Sequence, residues 1–242
     1  MFDLQTLKFS PQKIIDFYNE NGYVVVEGVV DDKNCDKILN IFQKHAKENG
    51  NNDLLEMTRI HASVPETLEL MKNENAVLIV EKLLGSSCVG LQTVCVFKKA
   101  GTPSAKHAWN PHQDASYCLI DKDDYVGGDV ALDDHLPGTG CLYVYPGSHK
   151  EKVLPYQPNK SFDIPEGSNP GNRVLEIPKK YKKIDLHMKK GSFFCFHGHV
   201  IHGSYENISV DGWRPALLMA YSKKEAKYPP GKGNPRAPIE LK

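Results

Sequence analysis

What this chain lacks narrows its class first. It has no charge excess: Lys plus Arg and Asp plus Glu both number 30, for a formal net charge of zero. A dedicated nucleic-acid binder would carry a basic surplus. No apolar run approaches the roughly 20 residues that a membrane-spanning helix needs, so no membrane span is expected. The start, Met1-Phe2-Asp3-Leu4-Gln5, has no basic stretch followed by an apolar core. No secretory signal is therefore expected, and the cytoplasm is the expected compartment. The six cysteines show no Cys-x-x-Cys spacing, and several sit in apolar runs such as Val94-Cys95-Val96-Phe97. That predicts buried thiols in a reducing compartment rather than a disulfide framework. Asn159-Lys160-Ser161 and Asn207-Ile208-Ser209 match the glycosylation pattern, and without a signal peptide both are read as chance. No internal repeat is present.

A chain of 242 residues can bury a full core, and one domain spanning 1–242 is expected. Ser10-Pro11 predicts a helix start, Ile14, Ile15, Phe17 and Tyr18 its apolar face, and Gly22 its stop. Tyr23–Val26 reads as a strand, Asp31-Asp32 opens a second helix, and 50–53 is a loop. Helices after Pro65 end at Gly85, which makes the part from about 10 to 85 helical. From Cys88 the chain turns β-branched and partly alternating. Strands are expected at 89–97, 116–120, 129–134, 141–146, 192–196, 200–202 and 215–221. Residues 151–190, rich in Pro, Lys and Asn, read as a long surface excursion and a candidate lid or substrate loop. The tail from Tyr228 reads as extended. Helices followed by many short strands predict a mainly β jelly roll, core about 88–222, with helices packed outside.

Chemistry concentrates in two segments. Trp109-Asn110-Pro111-His112-Gln113-Asp114 sets an imidazole and a carboxylate two positions apart, on one face if the segment is extended. Far downstream, His197-Gly198-His199-Val200-Ile201-His202-Gly203-Ser204 offers a third ligand. His202 is preferred because it ends an apolar strand and precedes Gly203-Ser204. His199, three positions earlier, faces the other way in an unbroken strand and is the nearest rival, with His197 behind it. Two His and one carboxylate with open positions opposite is the ligand set of non-haem Fe(II) oxygenases. Arg214 follows; a guanidinium can grip a carboxylate through two parallel hydrogen bonds, with Ser204 adding a hydroxyl. The bland alternative for Arg214 is a surface charge. The lysines 179, 180, 182, 183, 189 and 190 read as a solvated face, or less readily as a collar for an anionic substrate.

These motifs resemble the phytanoyl-CoA dioxygenase family. His112-Gln113-Asp114, Gly140-Cys141-Leu142-Tyr143-Val144-Tyr145-Pro146-Gly147-Ser148-His149, His202-Gly203-Ser204 and Arg214 match it in order and spacing, from about Gln92 to Ser222. The resemblance implies a double-stranded β-helix (jelly-roll, cupin-like) fold that uses Fe(II), 2-oxoglutarate and O2. It implies His112, Asp114 and His202 as iron ligands, and Arg214 with Ser204 as holders of the far carboxylate of 2-oxoglutarate. Gln92 and Lys98 fall where relatives place residues facing cosubstrate or substrate. An aromatic residue that some relatives carry ahead of the Gly-Cys-Leu motif is replaced here near Asp129 or Val130. A carboxylate at 114 fills the place a halide takes in halogenating relatives, which implies hydroxylation of a small molecule with release of succinate and CO2. The competing expectations are a non-catalytic or a zinc-dependent jelly-roll protein.

Overall fold

The computed structural model describes residues 1–48, 50, 56–118, 121–159, 171–227 and 237–242. The expected loop at 51–53, residues 119–120, the middle of the 151–190 excursion, the Lys160-Ser161 half of one glycosylation match and the tail at 228–236 lie outside the described residues. The N-terminal elements are β1 (Phe2–Asp3), α1 (Leu4–Phe9), α2 (Pro11–Asn21), β2 (Tyr23–Glu27), α3 (Asp32–Glu48), β3 (Glu56–Thr58), α4 (Thr67–Met71) and α5 (Glu74–Leu84). Asp3 starts α1 by accepting the Thr6 N–H at 2.7 Å, a cap the sequence reading passed over. Gly22 ends α2 at φ 79°, a left-handed conformation that costs glycine little. The helix α3 buries Cys35, Ile38, Phe42 and Ala46, the three-to-four spacing of one helix face.

The β-rich part continues with β4 (Cys88–Lys99), β5 (Trp109–His112), α6 (Ala115–Cys118), β6 (Tyr125–Ala131), β7 (Leu142–Val144), β8 (Tyr156–Pro158), β9 (Asn172–Val174), β10 (Ile184–Leu186), β11 (Phe193–His197), β12 (His202–Ser204) and β13 (Trp213–Lys223). One sheet runs β1-β2-β11-β6-β13-β4-β3, a second runs β10-β7-β12-β5, and β8 pairs with β9. The two larger sheets face each other as a jelly roll, mainly β with helices outside, as expected. Val24, Val26, Phe193 and Cys195 pack into the cluster that holds the helices. Their alternates Tyr23, Val25, Phe194 and Phe196 pack with Leu142 and Val144 of the second sheet. The middle strands are thus apolar on both faces, which is why they read as continuous apolar runs.

Three expectations are corrected. Residues 115–118 form α6 instead of a strand: the N–H groups of Tyr117 and Cys118 turn back to the Asp114 carbonyl. The strand expected at 129–134 is β6, earlier by several residues; it carries Gly127 and Gly128, poor strand formers. Their missing side chains are covered by rings, since a Cβ would lie 2.2 Å from Phe196 at Gly127 and 2.5 Å from Phe193 at Gly128. His202 opens β12 rather than ending a strand at 200–202. The Val200 N–H bonds the His197 carbonyl, and the Ile201 N–H bonds Ser148 Oγ at 2.8 Å, so neither joins a ladder.

No disulfide joins the six cysteines, and five are buried. Asn207 is also buried; its amide donates to the carbonyls of Lys98 and Gly212 at 2.7 and 2.9 Å, which suits a structural residue rather than a glycan acceptor. The described end of the tail is tied down, for Ile239 bridges Gly90 of β4. Among the described residues, no helix is long and apolar enough to cross a membrane.

Candidate metal centre and cosubstrate pocket

The strands β5 and β12 pair antiparallel with His112 directly opposite His202, so two imidazoles ninety residues apart in sequence become cross-strand neighbours. Their ring centroids are 4.4 Å apart. Asp114 stands just past β5, on the turn into α6. Donor atoms of His112, Asp114 and His202 all lie within 4.8 Å of one another. Asp114 Oδ1 is 3.6 Å from His112 Nε2 and 3.8 Å from His202 Nε2. That spacing suits one ion with N and O bonds of about 2.0–2.2 Å.

The backbone sets which imidazole nitrogens face that point. His112 Nδ1 lies 2.7 Å from the Asn110 carbonyl, and His202 Nδ1 lies 3.2 Å from the Val200 carbonyl. A carbonyl can only accept, so each Nδ1 carries the proton and each Nε2 turns its lone pair inward. Burial first, then the nearby His112, hold His202 down to about 4, so it is neutral at ordinary pH. The Tyr125 hydroxyl donates to the other Asp114 oxygen, Oδ2, at 2.8 Å.

His199 does not join the group. Its Nδ1 meets the Glu151 carbonyl at 3.0 Å, and His197 packs against Asp123 and His149. Of the three histidines it is His202, the first residue of β12, that the fold brings beside His112 and Asp114. Gln113, given no role from sequence, is a strut: its amide donates to the His199 carbonyl at 2.7 Å and accepts the Leu154 N–H at 2.8 Å. It thereby ties the two ligand-bearing segments together.

A cavity of about 330 Å³ lies between the sheets, lined by the three metal-site residues with Arg214, Ser204 and Gln92. Arg214 is 1 % exposed, and its Nε and Nη1 have no hydrogen-bond partner. Buried guanidinium donors with nothing to bond are costly unless an anion completes them. The arrangement therefore fits a carboxylate. Lys98 is not among the lining residues; its Nζ donates to Ser204 Oγ at 2.8 Å and to the Tyr205 carbonyl. Burial and the Arg214 charge push its ammonium well below the usual lysine range. Among the lining residues not expected from sequence are Asp129, Tyr125 and Arg59.

The lysines at 179–190 form no collar here, since none of the six lines the cavity. Lys180 pairs with Glu151 at 2.7 Å, Lys190 pairs with Asp36, and Lys183 lies over the Tyr143 and Tyr205 rings. The described parts of the 151–190 segment instead flank the ligands. Asn159 accepts from Asn110 at 3.0 Å, and Asn172 donates to Ser116 at 3.0 Å.

Comparison with known proteins gives the family and the fold. The family model described as Phytanoyl-CoA dioxygenase (PhyH) matches residues 18–216. The human peroxisomal phytanoyl-CoA dioxygenase is 24% identical over 258 residues, covering 93% of this chain and 72% of the relative. An Arabidopsis thaliana phytanoyl-CoA dioxygenase is 26% identical over 246 residues, covering 81% of this chain and 83% of its own. Among solved structures, the epimerase SnoN in complex with Fe3+, alpha ketoglutarate and nogalamycin RO superposes with a TM-score of 0.73 at 18% identity, covering 90% and 86% of the two chains. The carbocyclase SnoK from nogalamycin biosynthesis gives 0.73 at 16% identity, covering 96% and 95%. At those identities the likeness is one of fold.

Proposed function

This chain belongs to the phytanoyl-CoA dioxygenase family, and we propose that it is an Fe(II)- and 2-oxoglutarate-dependent dioxygenase hydroxylating a C–H bond of a small molecule, with release of succinate and CO2. The observation that carries the reading is the convergence of two inward-facing imidazole nitrogens and one carboxylate oxygen in the cavity that also receives an unsatisfied guanidinium. His112, Asp114 and His202 would hold the metal through Nε2, Oδ1 and Nε2. Arg214 would bind the far carboxylate of 2-oxoglutarate, with Ser204 beside it and Lys98 fixing the Ser204 hydroxyl from behind. Gln92 would face cosubstrate or substrate from β4. The metal, the keto acid and O2 together supply the oxidising chemistry when bound. The walls Leu142, Phe194 and Phe196 keep water from that chemistry.

A purely structural metal, the non-catalytic alternative, would leave the Arg214 donors without use. The substrate proposed is anionic. Arg59 lines the same cavity and is held at φ 55° and ψ 37°, a left-handed conformation costing a non-glycine residue about 1–2 kcal/mol. Such strain gathers at ligand clamps. The compartment proposed is the cytoplasm; the human relative is named peroxisomal, and imaging of the tagged chain separates the two.

The test is succinate formation from Fe(II), 2-oxoglutarate and candidate substrates under labelled O2. A product carrying one labelled oxygen supports hydroxylation, whereas an isomerised or cyclised product without it overturns hydroxylation and keeps the cosubstrate chemistry. Asp114→Ala should abolish turnover with its circular dichroism unchanged. Full activity in that variant would remove Asp114 from the ligand set.

A further inference from the structure

Asp129 stands in β6 with Leu218 of β13 on one side and Phe194 of β11 on the other. It is 1 % exposed and lines the cavity with Arg214. The two groups are near without being joined. The closest approach, Arg214 Nη1 to Asp129 Oδ2, is 4.0 Å, where a bonded fork would be about 2.7–2.9 Å. Six buried side-chain polar atoms lack a partner among the described residues, and three belong to this pair: Asp129 Oδ1, Arg214 Nε and Arg214 Nη1. A salt bridge built for stability would use those atoms on each other. Left as they are, they outline a place for a third group.

Under the reading above, that third group is the far carboxylate of 2-oxoglutarate. Two carboxylates then meet one guanidinium in a buried space. Arg59 also lines the cavity, but the cation that acts on the Asp129 carboxyl is Arg214, and the other charged and titratable groups nearby do not offset this. Lys98 on β4 spends its Nζ on Ser204 and Tyr205 and stands outside the lining. His135, between β6 and β7, is held well below its usual value by burial and by Arg214, so it is uncharged. Cys141 is pushed up, chiefly by burial, and is uncharged as well. The ligands His112, Asp114 and His202 serve the metal. Two carboxylates in such quarters share a proton rather than both ionising. The neutral acid can then donate an O–H to the ligand's carboxylate, a strong charge-assisted bond.

We propose that Asp129 is a cosubstrate-binding residue that enters the 2-oxoglutarate complex as the neutral acid, so that binding takes up one proton from solvent. The ligand-free protein is poised for this: burial raises the Asp129 carboxyl to about 6, against the opposing pull of Arg214. Near pH 8 it is ionised until the ligand arrives.

The inference rests on the cosubstrate reading, and calorimetry keeps the two apart. 2-Oxoglutarate is titrated anaerobically into the Fe(II)-loaded protein at pH 8, in buffers of differing ionisation enthalpy. Uptake of close to one proton per bound ligand is expected. The dissociation constant should rise about tenfold for each pH unit above 7. Asp129→Asn, which donates without ionising, should bind with no uptake and a flat pH profile. Binding by the unaltered protein without proton uptake overturns the proposal alone, and that measurement needs no variant. Uptake persisting in Asp129→Asn overturns it too, by assigning the proton elsewhere. No binding from pH 6 to 8 overturns the cosubstrate reading and this proposal with it.

Discussion

The Tyr125 hydroxyl holds Asp114 by one oxygen, Oδ2, at 2.8 Å, and leaves Oδ1 facing both imidazoles at 3.6 and 3.8 Å. The carboxylate is thereby kept from rotating, and its free oxygen is the one aimed at the proposed metal. Outer partners of this kind tune affinity about 10–100-fold. Tyr125→Phe keeps the ring and removes the bond. Metal affinity should fall by about that factor in an anaerobic Fe(II) or Co(II) titration, with circular dichroism unchanged. An unaltered affinity would mean that β5 and α6 orient Asp114 unaided.

Arg214→Lys keeps the cation and loses the planar fork. A bond to a charged group contributes about 1.5–3 kcal/mol, so the dissociation constant for 2-oxoglutarate should rise about 10–100-fold. Metal affinity should stay constant, because Arg214 touches none of the three ligands. Equal affinity for the keto acid in the variant would place its far carboxylate elsewhere.

Gly203 is the middle residue of β12, packed closely against β5. A Cβ there would come 2.5 Å from the Trp109 carbonyl oxygen and 2.5 Å from the Tyr143 hydroxyl. The carbonyl is backbone of β5 and cannot swing aside. Gly203→Ala should therefore part β12 from β5, costing about 1–3 kcal/mol as overpacked sites do. Thermal unfolding would show the loss, and a metal titration should show weaker binding as His202 is moved away from His112. A variant that melts like the unaltered chain would refute the claimed closeness.

How much of this could be read in advance depends on the range of the interaction. The His112 and Asp114 pair was legible because both residues lie within one short segment. Arg214 was legible as a type, since few residues other than arginine offer a planar fork. His202 rather than His199 is brought beside His112 and Asp114, but not for the local reason given: the Ser148 hydroxyl takes the Ile201 N–H from the strand expected at 200–202, and the pairing with β5 places His202 opposite His112. The strand β6 was misplaced because Gly127 and Gly128 signal a turn until Phe196 and Phe193 lie across them. Asp129 was legible only as the neighbourhood of a replaced aromatic residue, not as a carboxylate of the site. Nothing in Gly-Gly-Asp-Val hints that the carboxylate will face Arg214, eighty-five positions later. The lysine run was legible as the solvated face it forms, with five of its six lysines exposed; the less favoured collar reading fails because local charge density carries no information on which side of the fold it lands.

Buried imidazoles also make the fold sensitive to acid. His107 and His197 are each held down to about 4, chiefly by burial, with the charge of Lys98 adding to the effect at His107 and the Asp123 bond opposing it at His197. In the unfolded chain a histidine takes its proton near pH 6.5, while in the fold these two resist until about 4. Above pH 6.5 neither state is protonated and the stability is intact. As pH falls from 6.5 toward 4, only the unfolded chain gains the proton, so stability drains over that window by something on the order of 3 kcal/mol per group. His149 and His199 are lowered by burial too and push the same way. The urea midpoint of the metal-free chain should fall steadily between pH 6.5 and 5. His197→Gln should lower the midpoint at pH 8, because the Asp123 and His199 contacts are disturbed, and should also flatten the acid slope, because one titrating group is gone. A midpoint constant down to pH 5 would mean that these rings accept protons in place, and that the interior around them is wetter than their 7 and 5 % exposure indicates.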